Sequence, residues 1–386
     1  MKAKSKSTIK WILNVFSSGG ILLLAMTIIS LLIANSSSGD AYREMWEIKV
    51  GPQLGVVDLN KTLGHWINDG LMVIFFLLVG LEIKRELLKG ELSSRKKAML
   101  PLMAAVGGMV IPALIYTFFN IGHPAASGWG IPMATDIAFA LAILTMAGNR
   151  VPLGLKIFLT ALAIIDDLGA VLVIAFFYTH GMQLLYLLLA VISLALLAYL
   201  NYKRIQKLRW YLIPGILLWY FILKSGVHAT IAGVLIALFI PIEGAIKNKR
   251  SALERLEHIL HGKVNYFILP LFALANTALL IDSSLLSGLS SSPALGIIFG
   301  LFAGKPIGIM LFSFIAVRSG MAVLPSGTDW IHILGAGFLG GIGFTMSIFI
   351  AMLAFHQPEF QNLAKFAVLM TSVVAGVVGF AIIKSK

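Results

Sequence analysis

The chain contains no cysteine. Disulfides, thiolate metal sites and a cysteine nucleophile are excluded with it. Charge is also scarce: 12% of the 386 residues are Asp, Glu, Lys or Arg, against about 25% in a soluble domain. Acids are the scarcer sign, 17 against 30 Lys and Arg, so an acid inside an apolar run is conspicuous. What fills the chain instead is apolar, with 59% hydrophobic residues and a mean hydropathy of +0.92. The expected class is an all-α polytopic membrane protein, because a helix satisfies its own backbone polar groups in lipid. The net charge of +13 does not point to nucleic acid. The basic residues are strung between apolar segments on alternate loops, which is a topology signal.

Apolar length and Pro, Gly or charged punctuation give about twelve spans. They lie near 11–34, 62–83, 98–119, 131–148, 152–178, 182–201, 209–223, 226–242, 263–281, 292–316, 331–355 and 364–383. The basic start MKAKSKSTIKW leads into a long apolar stretch with no small-x-small cleavage site before a soluble domain. It reads as an uncleaved first span. Twelve spans with both ends on one side put 24 of the 30 Lys and Arg there and five on the other; Lys305 falls inside a span. That asymmetry expects both termini in the cytoplasm. The longest loop on the far side, 36–61, holds WEIKVGPQLGVVDLN, whose alternation around Gly51-Pro52 suggests a short extramembrane hairpin at about 46–60. It reads either as a solvated loop or as a strand pair that docks on a second copy.

The stretch LAIIDDLGA, Leu162–Ala170, sets two adjacent carboxylates, Asp166 and Asp167, inside the apolar run from Val151 to Tyr178. Each Asp costs about 2.5–3.5 kcal/mol at the centre of a span. Two side by side also repel, so at least one is expected to hold a proton or bind a cation. Nothing structural requires that expense. Span 4, GWGIPMATDIAFALAIL, places Pro132, Thr135 and Asp136 in mid-segment. Span 11, LGAGFLGGIGFTMSIFI, carries five glycines between Gly335 and Gly343, including Gly341, and then Thr345 and Ser347. Both look interrupted. A pair of interrupted segments in corresponding halves points to a transport site built from half-helices; for span 11, close packing of small residues explains the glycines equally well. Lys305, followed by Pro306, lies deep in span 10 and needs a carboxylate or the negative end of a half-helix. Asp166, Asp167 and a broken-helix C-terminus are its candidate partners. Asp136 suits positive half-helix N-termini.

Further titratable groups lie nearer the ends of spans. Glu82, Arg85 and Glu86 stand at helical spacing where span 2 meets the cytoplasm, and read as interface anchors or as the rim of a cation funnel. Asp69 lies near the other end of that span. His228 opens span 8, as a helix-end residue or a titrating group near the outer exit. Glu254, Glu257, His258 and His261 fall within about two turns of an amphipathic stretch, 243–263, which is a solvated surface helix or a pH-responsive patch.

The ordered set FFLLVGLEIKREL, ATDIAFALAIL, LAIIDDLGA, KSGVHATIAG, GKPIG and GIGFTMSIFIA resembles the NhaA family of bacterial sodium/proton antiporters over nearly the whole chain. The resemblance implies a single transporter domain over 1–386, with inverted repeats at about 98–178 and 292–383 and two discontinuous spans, 4 and 11, that cross at mid-depth. It implies Asp166 and Asp167 as the cation- and proton-binding pair, Thr135 and Asp136 as broken-helix residues, and Lys305 as the family's essential lysine. It further implies a pH response at the cytoplasmic side around Glu82, Arg85, Glu257 and His258, a homodimer joined partly by the hairpin, and residence in the bacterial inner membrane. The hairpin run itself matches none of these motifs, and Glu254 stands where a basic residue is expected. The expected activity is electrogenic exchange of Na+, and Li+, for H+ by alternating access, with no cofactor and no enzymatic reaction. The rivals are a proton or cation channel using the same acids and an intramembrane aspartyl protease. Adjacent Asp residues on one helix point ~100° apart, which disfavours the protease.

Overall fold

A computed structural model of the chain describes residues 19–54, 57–148, 151–179, 181–243 and 250–386. The basic N-terminal start, the beginning of the first expected span, Arg150, Lys247 and Lys249 lie outside the described residues.

Helix α1 (Gly19–Ala34) turns through 114° into α2 (Gly39–Glu47). Four short strands follow: β1 (Lys49–Val50), β2 (Gln53–Leu54), β3 (Val57–Asp58) and β4 (Lys61–Thr62). β1 pairs with β4 and β2 with β3, both antiparallel. They form one broken hairpin in which Gly51-Pro52 lies within an arm, between β1 and β2. Gly51 interrupts the first arm: its φ of +136° suits glycine alone, and a Cβ there would fall 2.1 Å from the Leu59 carbonyl oxygen.

Helix α3 (Leu63–Lys89) contains a π turn, and α4 (Arg95–Phe119) tolerates Pro101 and Pro112 within it. A 3-10 half-helix, Pro124–Met133, then meets α5 (Ile137–Met146) at a 43° bend. Next come α6 (Leu153–Phe177), α7 (Leu184–Tyr202), α8 (Arg209–Ser225) and α9 (Ile231–Phe239). The stretch Ala252–Lys263, Val264–Ile268 and Leu269–Asn276 runs end to end as α10. After α11 (Ser283–Gly288) and α12 (Ser292–Arg318), the pair α13 (Trp330–Gly340) and α14 (Phe344–Ala354) bends by 45°, and α15 (Pro358–Lys384) ends the chain. Among the described residues α3, α4, α6, α7, α12 and α15 are each long and apolar enough to cross a bilayer.

Each of the twelve expected segments coincides with a helix or a bent pair, and the fold is that of an all-α membrane protein with a small extramembrane sheet. Two departures are informative. α9 is nine residues long, because the turn at 226–230 takes up the start of the expected span and the helix ends at Phe239. α10 begins at Ala252, eleven positions before the expected start, because Ser251 and Glu254 form a capping box that launches one continuous helix from the amphipathic stretch into the span. Glu254 is therefore a cap.

The stretches 98–178 and 292–383 each hold a long helix, a broken one and a second long helix, in that order. They meet most closely where Gly107 of α4 faces Gly308 of α12. A Cβ on Gly107 would lie 2.2 Å from the Gly308 carbonyl oxygen, and one on Gly308 would lie 2.1 Å from that of Gly107. Only glycine at both positions lets the backbones touch in this way.

Candidate functional site

Two helix breaks meet beside the middle of α6. In the first, residues 134–136 are extended between the 3-10 half-helix and α5; in the second, residues 341–343 separate α13 from α14. The breaks are joined through backbone, the Asp136 N–H donating to the Ile342 carbonyl at 2.7 Å. A break inside lipid leaves N–H and C=O groups without partners, and each is a partial charge. The side chains around this crossing satisfy them.

Asp136 serves the two N-terminal ends. Its carboxylate accepts from Phe139 N–H at 2.9 Å, in the first turn of α5, and from Thr345 N–H at 3.1 Å, in the first turn of α14; the Thr345 hydroxyl donates to it as well. One acid thus caps two half-helices. Lys305 serves a C-terminal end: its ammonium donates to the carbonyl of Met133, the last residue of the 3-10 half-helix. The same Nζ lies 2.7 Å from Asp166 Oδ2, and both side chains are wholly buried. The Thr135 hydroxyl lies 2.7 Å from that Oδ2 and 2.8 Å from the Gly340 carbonyl. Its single proton serves one of them at a time. Gly341 is required where it stands, since a Cβ would fall 2.4 Å from the Leu301 carbonyl oxygen, and on Gly343 it would fall 2.1 Å from Ser347 Oγ.

Asp166 and Asp167 are 1% and 2% exposed, yet their surroundings differ. Asp166 is held by Lys305 and Thr135 through one oxygen. Among the described residues, its other oxygen and Asp167 Oδ1 are buried with no hydrogen-bond partner. Asp167 lines a cavity of ≈ 20 Å³ together with Glu82, Asp136, Asn265 and Thr345. That is room for about one water molecule or a small ion. Carboxylate, hydroxyl and carbonyl oxygens form a donor set that suits a hard cation or protons.

The remaining candidates fall into two groups, one at each end of α3. Toward its C-terminal end, His261 Nε2 lies 3.0 Å from Glu82 and 3.6 Å from Glu257, and Arg85 Nε lies 2.9 Å from Glu257. Glu82, Arg85, Glu257 and His261 therefore form one network, and Glu82 also lines the Asp167 cavity. Glu254 belongs to the cap, and His258 is exposed on the same helix. Toward the hairpin, His228 lines a second cavity of ≈ 420 Å³, with His65 3.0 Å and His228 4.0 Å from Asp69. Phe349 of α14 falls along the helix between Met346, at the small cavity, and Met352, at the larger one, and its ring centroid is 5.4 Å from that of Phe76, 6.0 Å from His228 and 6.4 Å from Phe272.

Sequence reasoning missed Asn265, Phe349 and Lys365. Asn265 was detectable as a polar residue in an apolar span. Phe349 was not, because one aromatic among many carries no signal of its neighbours.

The sequence profile of a family described as Na+/H+ antiporter 1 matches residues 10–383. A Flavobacterium johnsoniae protein named Na(+)/H(+) antiporter NhaA 2 is 53% identical over 370 residues, covering 96% of this chain and 90% of its own. The Na(+)/H(+) antiporter NhaA of Aliivibrio salmonicida is 51% identical over 370 residues, covering 95% and 94%. That of Dechloromonas aromatica is 52% identical over 372 residues, with the same two shares. In fold the chain is similar to the sodium proton antiporter MjNhaP1 of Methanocaldococcus jannaschii at pH 8, with a TM-score of 0.54, 14% identity and coverage of 99% and 98%.

Proposed function

The chain belongs to the Na+/H+ antiporter 1 family, and from that premise we propose how a sodium/proton antiporter works with these residues. Na+ and protons contend for the oxygens of Asp166 and Asp167. In the proton-loaded state Lys305 pairs with Asp166, as in the present geometry. Na+ entering beside Asp167 draws in the free oxygens of both carboxylates, and the Lys305 ammonium gives up its partner. Li+, equally hard and smaller, takes the same place. If Asp167 sheds its proton and Lys305 sheds one as Na+ takes its partner Asp166, two protons cross for each Na+ and exchange moves net charge. Alternating access follows when the helices carrying the crossing rock against α3 and α10, and Phe349 leaves its present place between the two cavities. The observation that carries the reading is the inequality of two adjacent buried acids, one held by an ammonium and the other facing a cavity.

We assign the hairpin to the outer face and both termini to the cytoplasm of the bacterial inner membrane. The 24-to-5 distribution of Lys and Arg supports this. The Glu82, Arg85, Glu257 and His261 network then stands at the cytoplasmic mouth, where a change in protonation alters ion access and gives a pH response; His258 and His228 are secondary candidates. A homodimer through the hairpin is supported by exposed apolar residues beside it, Ile48 at 53% and Val50 at 48%. Transport needs no cofactor and no covalent chemistry.

Opposed gradients in proteoliposomes test the central reading. An exchanger uses an imposed Na+ gradient to build a proton gradient against leak. The channel reading is sunk by such uphill movement, and the exchange reading by its absence.

A further inference from the structure

Lys365 is the buried cation that the exchange site does not use. It lies in the second turn of α15, is 8% exposed, and borders the ≈ 420 Å³ hairpin-side cavity with Glu47, His65, Asn68, Asp69 and His228. Among the described residues the other buried lysine, Lys305, and the half-buried Lys84 have evident partners. Lys305 holds Asp166, and Lys84 donates to the Leu238 and Ile240 carbonyls. Among the described residues Lys365 Nζ has neither a hydrogen-bond acceptor nor an acid within 4.0 Å. Asp69, on the same cavity, is already engaged by His65 at 3.0 Å. Glu47 of α2 is the acid whose field reaches the ammonium, from beyond contact distance and from an exposed position. A lysine near a helix end ordinarily extends to water along the helix surface. This one is confined to the wall of a polar chamber that is also lined by Met352 and Leu353 of α14, the half-helix that begins at the crossing.

We propose that Lys365 sets the sodium affinity of the hairpin face: its fixed positive charge weakens Na+ binding from that side and so limits product inhibition of export. The inference rests on the exchange reading and on the hairpin facing outward. A unit charge about 10 Å from the ion path, at an effective dielectric near 20 and with salt screening, changes binding by roughly three- to fifteenfold. It opposes every cation at that face, so Na+ and proton affinities fall together and the overall exchange equilibrium is untouched. What changes is the division of affinity between the two faces. That division appears in the KM for Na+ measured from each face while Lys365 is charged.

The test reconstitutes the full chain, K365Q and K365R in liposomes of known sidedness and measures the KM for Na+ from each face near neutral pH, where the Lys365 ammonium keeps its proton. K365Q lowers the hairpin-face KM three- to fifteenfold and leaves the opposite KM within about twofold, K365R behaves as the parent, and added choline chloride narrows the difference. Equal hairpin-face KM values in exchanging K365Q and parent protein overturn the proposal, as does an equal shift in K365R, which would indicate packing. Should K365Q fail to fold, the exposed partner decides: E47Q removes the charge that offsets Lys365 and raises the hairpin-face KM, and no change there overturns the proposal. Absence of exchange by the parent chain from either face would instead remove the exchange reading itself.

Discussion

Lys305 Nζ lies 2.7 Å from Asp166 Oδ2, while Asp167, the next residue on the same helix, faces the small cavity shared with Glu82 and Asp136. A single residue step, about 100° around the helix, thus separates a neutralised acid from one that has no ammonium beside it. The pairing requires that Asp166 and Asp167 point in different directions, which adjacent helical residues do.

Asp167→Asn removes the charge without removing volume. Sodium-driven proton movement in vesicles is expected to fall to background, with thermal stability retained because no ion pair is broken. Exchange at the parent rate would refute the assignment of Asp167 to the ion.

Lys305→Ala strands Asp166 as a buried charge. Breaking a buried pair from one side costs about 3–5 kcal/mol, so the melting temperature falls sharply in detergent. Adding Asp166→Asn is expected to recover much of that loss, since a neutral amide needs no counter-ion. Additive losses in the double variant would show that the two residues do not depend on one another.

Asp136→Ala deprives α5 and α14 of their shared cap. At about 1 kcal/mol for each cap, stability falls by about 2 kcal/mol, and exchange slows about tenfold as the crossing loosens. Asp136→Asn, which keeps an acceptor, falls between. Matched thermal melts and transport assays decide it, and an Ala variant as stable as the parent would show that the two helix starts do not need this carboxylate.

Asp329 supplies a pH-dependent test away from the membrane-spanning segments. Its carboxylate accepts from the His332 N–H at 3.0 Å and lies 3.2 Å from Lys386 Nζ. The His332 backbone bond first, and then the His332 and Lys386 side chains, hold its carboxyl well below the usual carboxylate range. A depressed value means that the contribution is present above the ordinary carboxylate pKa of about 3.9 and is lost as pH falls through the folded value. Asp329→Ala therefore speeds amide exchange at the start of α13 at neutral pH, and the difference vanishes in strong acid. A difference that persists there unchanged would contradict the cap.

Much of the site was legible because buried charge in lipid is too costly to be incidental. Asp166, Asp167, Asp136 and Lys305 stand out from an apolar background, and prolines and glycines mark both breaks. What was hidden depends on facing. Four of the acids and histidines near the ends of spans, Glu82, Glu86, Glu257 and His261, share a network with Arg85, while His258, next to Glu257, is exposed; sequence spacing alone did not show this. The hairpin tip was misplaced because Gly51-Pro52 carries ordinary turn chemistry, whereas here it only interrupts an arm. Lys365 read as an end-of-span basic residue, since its confinement to a chamber depends on distant segments.

The backbone contact between Gly107 and Gly308 acts like a rivet. Because no side chain separates the two chains there, any slide or twist between α4 and α12 would drive a carbonyl oxygen into its neighbour. These two helices must consequently travel as a single plank, carrying Lys305 and the crossing with them, and the sliding seam of the transport cycle has to lie elsewhere, along the faces turned to α3 and α10.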